Sequence, residues 1–206
     1  MQIEIKYDNE IAIALGKSRK EMRWKNRDLM WSLFIQKLSD THKTPETLAE
    51  YLKSDKNRQD EVKDIGGFVG GTLSEGRRRA DSVLSRSVIT LDIDNASCDF
   101  WDNFIMYYDN AAVVYSTHKH SPEKPRLRLI VPLSRPVTPD EYIPIARRIA
   151  GNLGIEQFDD TTYEPERLMY WPSTPKDIEY YFRYQDGPWL SPDEVLATYH
   201  NWKDST

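Results

Sequence analysis

The chain has 206 residues and a formal net charge of −5, room for one substantial core with a small appendage and too acidic overall for a protein that coats nucleic acid non-specifically. At 39% hydrophobic and 30% charged, with 12 Tyr and 6 Trp, the composition is globular rather than disordered. A single cysteine, Cys98, excludes a disulfide framework and a cysteine-rich zinc site; with no long apolar run and no signal-peptide core in MQIEIKYDNE, a soluble, unexported, membrane-free protein of a reducing cytoplasm is expected.

Residues 2–15 hold two short runs, IEIKY and IAIAL, divided by Asp8-Asn9, which predicts an N-terminal hairpin. From Asn26 onward Leu29, Met30, Leu33, Phe34 and Leu38 recur at helical spacing, and Thr44-Pro45-Glu46 reads as the cap and first turn of a second helix through Tyr51. Trp24 and Trp31 read as packing residues. The next stretch, KDIGGFVGGTLSEGRRR from Lys63 to Arg79, holds five of the nine glycines. Its backbone can turn sharply or approach another chain closely. No Gly-Lys-Ser/Thr follows, so it is not a phosphate-cradling P-loop. Arg77, Arg78 and Arg79 suit a loop on a phosphate backbone and a solvated hairpin equally.

Ser87–Asn95, SVITLDIDN, reads as a buried strand ending in two carboxylates. Residues two apart share a strand face, roughly 6.5 to 7 Å apart, so Asp92 and Asp94 converge. Either a hard cation, Mg²⁺ or Mn²⁺, lies between them, or the strand simply turns out into solvent at Asp94-Asn95. Phe100, Phe104 and Tyr107 then predict a short helix, and Ala111–Ser116 a second buried strand. A polar loop with His118 and His120 follows, and in Arg126–Val131 the alternation puts Arg126 and Arg128 on one face. Arg77, Arg78, Arg79 and Arg86 before the acidic pair, with Lys119, Lys124, Arg126 and Arg128 after it, suggest an anionic substrate beside a metal.

Thr138-Pro139-Asp140-Glu141 forms a capping box for an amphipathic helix through Leu153. The acids of IEQFDD, residues 155–160, are placed to return to the Asp92 face. Arg167–Pro172 reads as a strand, with Glu179–Tyr184 as its pairing candidate, and Ser191–Glu194 caps a terminal helix through Tyr199. Alternation of helix and strand from residue 87 implies one layered α/β domain.

In order, an acidic pair on a strand, Ser-x-His after the next strand, and an aspartate ahead of PERLMYWPS resemble the catalytic domain of the archaeo-eukaryotic primase superfamily. The likeness is to the primase-polymerase domain that phages and mobile elements carry in front of a helicase, and by motif it covers roughly residues 63–175. It implies an α/β (α+β) fold with an RRM-like mixed sheet and flanking helices, residues 63–206, behind a β-hairpin and helical cover, residues 1–62. It implies a metal-dependent nucleotidyltransferase that makes or extends primers on single-stranded DNA in a bacterial host cell. Asp92, Asp94 and Asp159, with Asp160 as rival, would hold Mg²⁺ or Mn²⁺ in a two-metal site without zinc. Ser116, His118, Arg126, Arg128 and Arg167 would bind the nucleoside triphosphate, His118 on phosphate. Arg77, Arg78, Arg79 and Lys119 would track the template. Nothing in the chain resembles the helicase itself, so a stand-alone domain and a piece of a longer protein with a helicase domain or partner are both open.

Three other readings compete. His118-Lys119-His120 has the His-x-His spacing of replication-initiator nickases, but Lys119 stands where those enzymes want an apolar residue, and the tyrosines that follow, Tyr142 excepted, lie in apparent loops or strands. A non-catalytic module binding primer-template junctions for a helicase would need the arginines and not the aspartates. An Asp-x-Asp site for a nucleotide sugar leaves the basic Ser-x-His hairpin without a purpose.

Overall fold

A computed structural model describes residues 3–204. Its centre is a five-stranded sheet in the order β11-β7-β8-β6-β5. The strands are β5 (Gly71–Leu73), β6 (Val83–Ile93), β7 (Ala112–Ser116), β8 (Leu127–Val137) and β11 (Phe182–Gln185). Every ladder in it is antiparallel, so β6 and β7 run parallel to each other on either side of β8. They are joined through α4 (Phe100–Tyr107). The α/β class holds; the parallel ladder lies outside this sheet, between β3 (His42–Thr44) and β10 (Ser173–Pro175).

Strand alternation assigns the sheet two faces. Ile89, Leu91 and Ile93 of β6, Val114 of β7 and Leu129 and Val131 of β8 pack with Phe100 and Phe104 of α4 and with Ile145, Ala146 and Ile149 of α5 (Pro139–Leu153). The opposite face, carrying Val88, Val113, Tyr115 and Ile130, packs on Ile11, Ile13, Trp31, Phe34 and Phe68. These come from α1 (Trp31–Leu38) and from a second sheet ordered β2-β1-β4-β9. Its strands are β1 (Glu10–Gly16), β2 (Lys25–Met30), β4 (Gly67–Val69) and β9 (Met169–Tyr170). A strand covered on both sides has no solvent face to alternate with, which is why β6 carries buried apolar residues on both faces, Val88 on one and Ile89, Leu91 and Ile93 on the other. The segment expected as a cover therefore shares a sheet and a core with the rest of the chain.

Several local expectations are corrected. The hairpin predicted in residues 2–15 is instead β1 with β2; residues 3–9 form no strand, and Gln2 lies outside the described residues. Leu29 and Met30 are strand residues paired with Ile11 and Glu10, so the helix expected from Asn26 begins at Trp31. Thr44 ends β3, and the cap of α2 (Leu48–Lys53) is Thr47 in a capping box with Glu50. A further helix, α3 (Lys56–Val62), follows with Asp55 as its cap. The Gly-rich stretch is no surface hairpin. β4 and β5 enter different sheets and both are largely buried. Strand β11 pairs with β7 rather than with the Arg167–Pro172 segment, and the terminal helix α6 (Pro192–Leu196) stops short of Tyr199. The capping box at Thr138 is present as expected. Among the described residues no helix is long and apolar enough to cross a membrane.

Candidate active-site cleft

Where β6 and β8 run out beyond the second sheet, the polar ends of their inner faces open into a cleft of about 700 Å³. Asp92 stands opposite Arg128 in the β6–β8 register. Its Oδ1 accepts from Arg128 Nε at 2.7 Å, and Arg126 pairs with Asp94 through Nη2 and Oδ2. Two acid–base pairs thus stand side by side, Asp92 facing Arg128 within the ladder and Asp94 facing Arg126 just beyond the strand ends. The Asp92–Arg128 rung is nearly closed to water, with side chains 9% and 11% exposed. Burial works against the Arg128 charge, but the Asp92 carboxylate and the Tyr115 hydroxyl more than offset it, and its pKa is raised. Burial and Asp92 in turn push the Tyr115 hydroxyl up to about 12, against the pull of Arg128.

Asp159 joins this pair through the backbone and through a third arginine. Its N–H donates to the Asp92 carbonyl at 3.0 Å, and Arg167 spans Asp159 Oδ2 at 3.0 Å and Asp92 Oδ2 at 3.4 Å. Partial burial would raise the Asp159 pKa. Hydrogen bonds from the Thr161 side chain and backbone, with the Arg167 and Arg126 charges, prevail and hold it below the ordinary value. Asp160 is exposed and is not part of the cleft wall, so of the two rivals it is Asp159 that meets Asp92.

Ser116 and His118 both line the cleft, yet their polar atoms are engaged. Ser116 Oγ accepts from Tyr181 N–H at 3.1 Å. The His118 ring is buried against Tyr51 with 4.4 Å between centroids. Its Nδ1 lies 2.8 Å from Ser173 Oγ, and its Nε2 lies 3.0 Å from Glu46 Oε1. Burial lowers the His118 pKa despite Glu46, while Glu46, helped by Thr44, is itself held low against its own burial. A neutral imidazole beside an ionised carboxylate must donate from Nε2, which leaves Nδ1 to accept the Ser173 hydroxyl proton. His118 therefore has no ring nitrogen free for a phosphate in this arrangement. His120 sits on the other side of the loop, its Nδ1 accepting from Arg126 N–H at 3.2 Å, so the two histidines do not converge as a nickase would require.

The remaining wall is basic. Of the predicted template residues, Arg78 and Lys119 line the cleft; Arg77 is exposed and paired with Glu75, and Arg79 is exposed outside it. Arg86, expected among the basic groups around an anionic substrate, is wholly buried and donates to the carbonyls of Gly70 and Val88 and to Thr90 Oγ1. Arg19, Lys20 and Lys63 complete the wall. Sequence reasoning missed them, although the run KSRKEMR from Lys17 to Arg23 is a legible basic signal. It also missed Glu46 and Ser173. In all, eight arginines and lysines face four carboxylates in the cleft, an excess of positive charge within a chain whose net charge is −5.

Carboxylate oxygens are the right chemistry for a hard divalent ion. In the present arrangement, however, each of the three aspartates is held by an arginine. Among the described residues no three His, Cys, Asp or Glu side chains are gathered to hold a metal.

The model of the VapE N-terminal domain family matches residues 1–206. The chain belongs to that family. The match takes in residues 1–62 along with the segment whose motifs carry the primase-like resemblance. Among solved structures the chain is similar to the AEP domain of the cyanophage S-2L primase-polymerase, with TM-score 0.48 and 13% identity over 91% of this chain and 88% of that one. No curated protein matches the sequence.

Proposed function

We propose that this VapE N-terminal domain is a nucleotidyltransferase that makes or extends primers on single-stranded DNA. The observation that carries the reading is that Asp92, Asp94 and Asp159 line one cleft with surplus positive charge, each clasped by an arginine. A nucleoside triphosphate brings its own negative oxygens, for which Arg126, Arg128 and Arg167 form bidentate donors. On binding, the guanidiniums would turn from the carboxylates to phosphate, which would leave Asp92, Asp94 and Asp159 as the oxygens to hold Mg²⁺ or Mn²⁺; such an ion would supply Lewis-acid chemistry at the reacting phosphate. The chain's own part is to align the triphosphate and to carry the strand along Arg78, Lys119 and Lys20, a contact that weakens steeply with salt. A helicase fits as a partner in the same or another chain.

Purified protein with Mn²⁺ or Mg²⁺, nucleotides and single-stranded DNA is expected to synthesise or elongate primers. The isosteric double variant Asp92→Asn, Asp94→Asn is expected to lower synthesis at least ~100-fold while keeping the native circular-dichroism spectrum and DNA affinity. Undiminished synthesis by a folded double variant overturns the site. DNA binding without synthesis by the native protein favours the non-catalytic module, and cleavage leaving a protein-linked 5′ end favours the nickase.

A further inference from the structure

The loop that runs from Ser116 to Arg126 has two sides, and the second opens on a separate cavity of about 310 Å³. Ser116, Thr117, His118, Lys119 and Arg126 face the basic cleft; His120, Pro122, Pro125 and Leu127 face the cavity. Its base is apolar, formed by Phe100 and Leu127, 1% and 4% exposed. Its sides are two half-buried aromatic rings, Trp101 from α4 and Tyr181 just before β11. Arg183, also on the wall, places its guanidinium 4.8 Å from the Tyr181 ring centroid.

The polar fittings of this cavity are few and of defined hydrogen-bonding sense. His120 is 7% exposed, and its Nδ1 accepts the Arg126 N–H. The neutral ring must then carry its proton on Nε2, so His120 is a fixed donor. Glu179 on the same wall is an acceptor. Flat aromatic surface with the His120 donor, the Glu179 acceptor, Arg183 and the small polar Ser97 on its wall suits a planar heteroaromatic ring bearing hydrogen-bonding edges and a nearby phosphate, the chemistry of a nucleotide.

We propose that this cavity takes an unpaired base of the single strand bound in the cleft, flipped over the Ser116–Arg126 loop and stacked on Trp101 and Tyr181. This deepens the primase-polymerase reading and rests on it. Strand phosphate held by Lys119 lies on one side of the loop whose other side, at His120 and Pro122, lines the cavity. The Tyr181 N–H bond to Ser116 Oγ ties the stacking wall directly to the end of β7, so an occupied cavity braces the cleft.

The test measures oligonucleotide binding by fluorescence anisotropy for native protein, Tyr181→Ala and Trp101→Ala, with intact oligonucleotides and with oligonucleotides carrying abasic sites. Stacking of one base is worth about 1–3 kcal/mol, so each variant is expected to bind the intact strand roughly 5- to 150-fold more weakly. Abasic strands are expected to bind native and variant proteins alike, and binding of a fluorescent nucleoside triphosphate in the cleft is expected to be unchanged. Native affinity of both variants for the intact strand overturns the proposal, as does an equal loss with abasic strands. A deoxynucleoside monophosphate that binds native protein but neither variant, with strand binding unaffected, assigns the cavity to free nucleotide and overturns the flipped-base reading. Failure of the native protein to bind any single strand is a separate result, which overturns the proposed function itself.

Discussion

Glu46 and His118 are 72 residues apart in the chain, yet their side chains meet at 3.0 Å, and the pair decides what the Ser-x-His loop can do. With Nε2–H donated to Glu46 and Nδ1 accepting from Ser173, the ring is locked as one tautomer. Removing the acceptor strands a buried N–H, a loss of about 1–3 kcal/mol. Glu46→Ala is therefore expected to lower stability by that amount in urea unfolding and to raise the triphosphate KM more than it lowers kcat. Glu46→Gln, which keeps an acceptor oxygen, is expected to recover most of both. Ring ¹⁵N shifts of His118 give an independent reading: a single Nε2–H tautomer in native protein and a mixture in Glu46→Ala, whereas identical spectra would remove Glu46 from the site. None of this was legible locally, because Thr44-Pro45-Glu46 looks like the opening of a helix. Only the β3–β10 ladder, in which Thr44 pairs with Pro175, brings Glu46 beside the loop. Asp92, Asp94, Arg126 and Arg128 were legible because strand alternation alone puts them on one face.

At the scale of elements, the Gly-rich stretch turns out to be a crossing between sheets. β4 pairs with β1 and β9, and β5 two residues later pairs with β6. The backbones come so close there that a Cβ on Gly71 would lie 1.9 Å from the Ser85 carbonyl oxygen. Arg86 fastens the same corner, donating to the carbonyls of Gly70 and Pro165. The glycines themselves were visible in the sequence; what they permit was not, since two glycine pairs around two apolar residues describe a hairpin as well as a crossover. Gly71→Ala is expected to cost about 1–3 kcal/mol or more, because backbone must move to relieve the overlap. The contrasting position is Gly151, an exposed residue inside α5 with nothing within 4 Å of a built Cβ. Gly151→Ala is expected to stabilise by up to ~1 kcal/mol through helix propensity. Thermal melts of the two variants are expected to move in opposite directions; equal, small shifts would mean that the crossing yields.

For the molecule as a whole, net charge conceals a division between a basic cleft and an acidic remainder, which is why the bulk figure of −5 argued against coating nucleic acid and left a local site open. The same division governs the response to pH. His118 and His120 are both held below the usual histidine value, chiefly by burial. The unfolded chain takes up protons near pH 6.5 where the folded chain resists them. Between the unfolded value and the lower folded one the unfolded state binds more protons, so stability rises with pH in that window and is lost as pH falls through it. The carboxylates of Glu46 and Asp159 are also depressed in the fold. Their contribution is full above the ordinary carboxylate range and disappears only at more acid pH. The melting temperature is therefore expected to decline in two stages on acidification, a first below about pH 6.5 and a steeper one below about pH 4. His118→Gln with His120→Gln is expected to remove the first stage and leave the second, even though the variant is less stable throughout. A first stage that persists undiminished in the double variant would show that these two imidazoles are not neutral because of the fold, and the single-tautomer assignments at Glu46 and in the aromatic cavity would lose their basis.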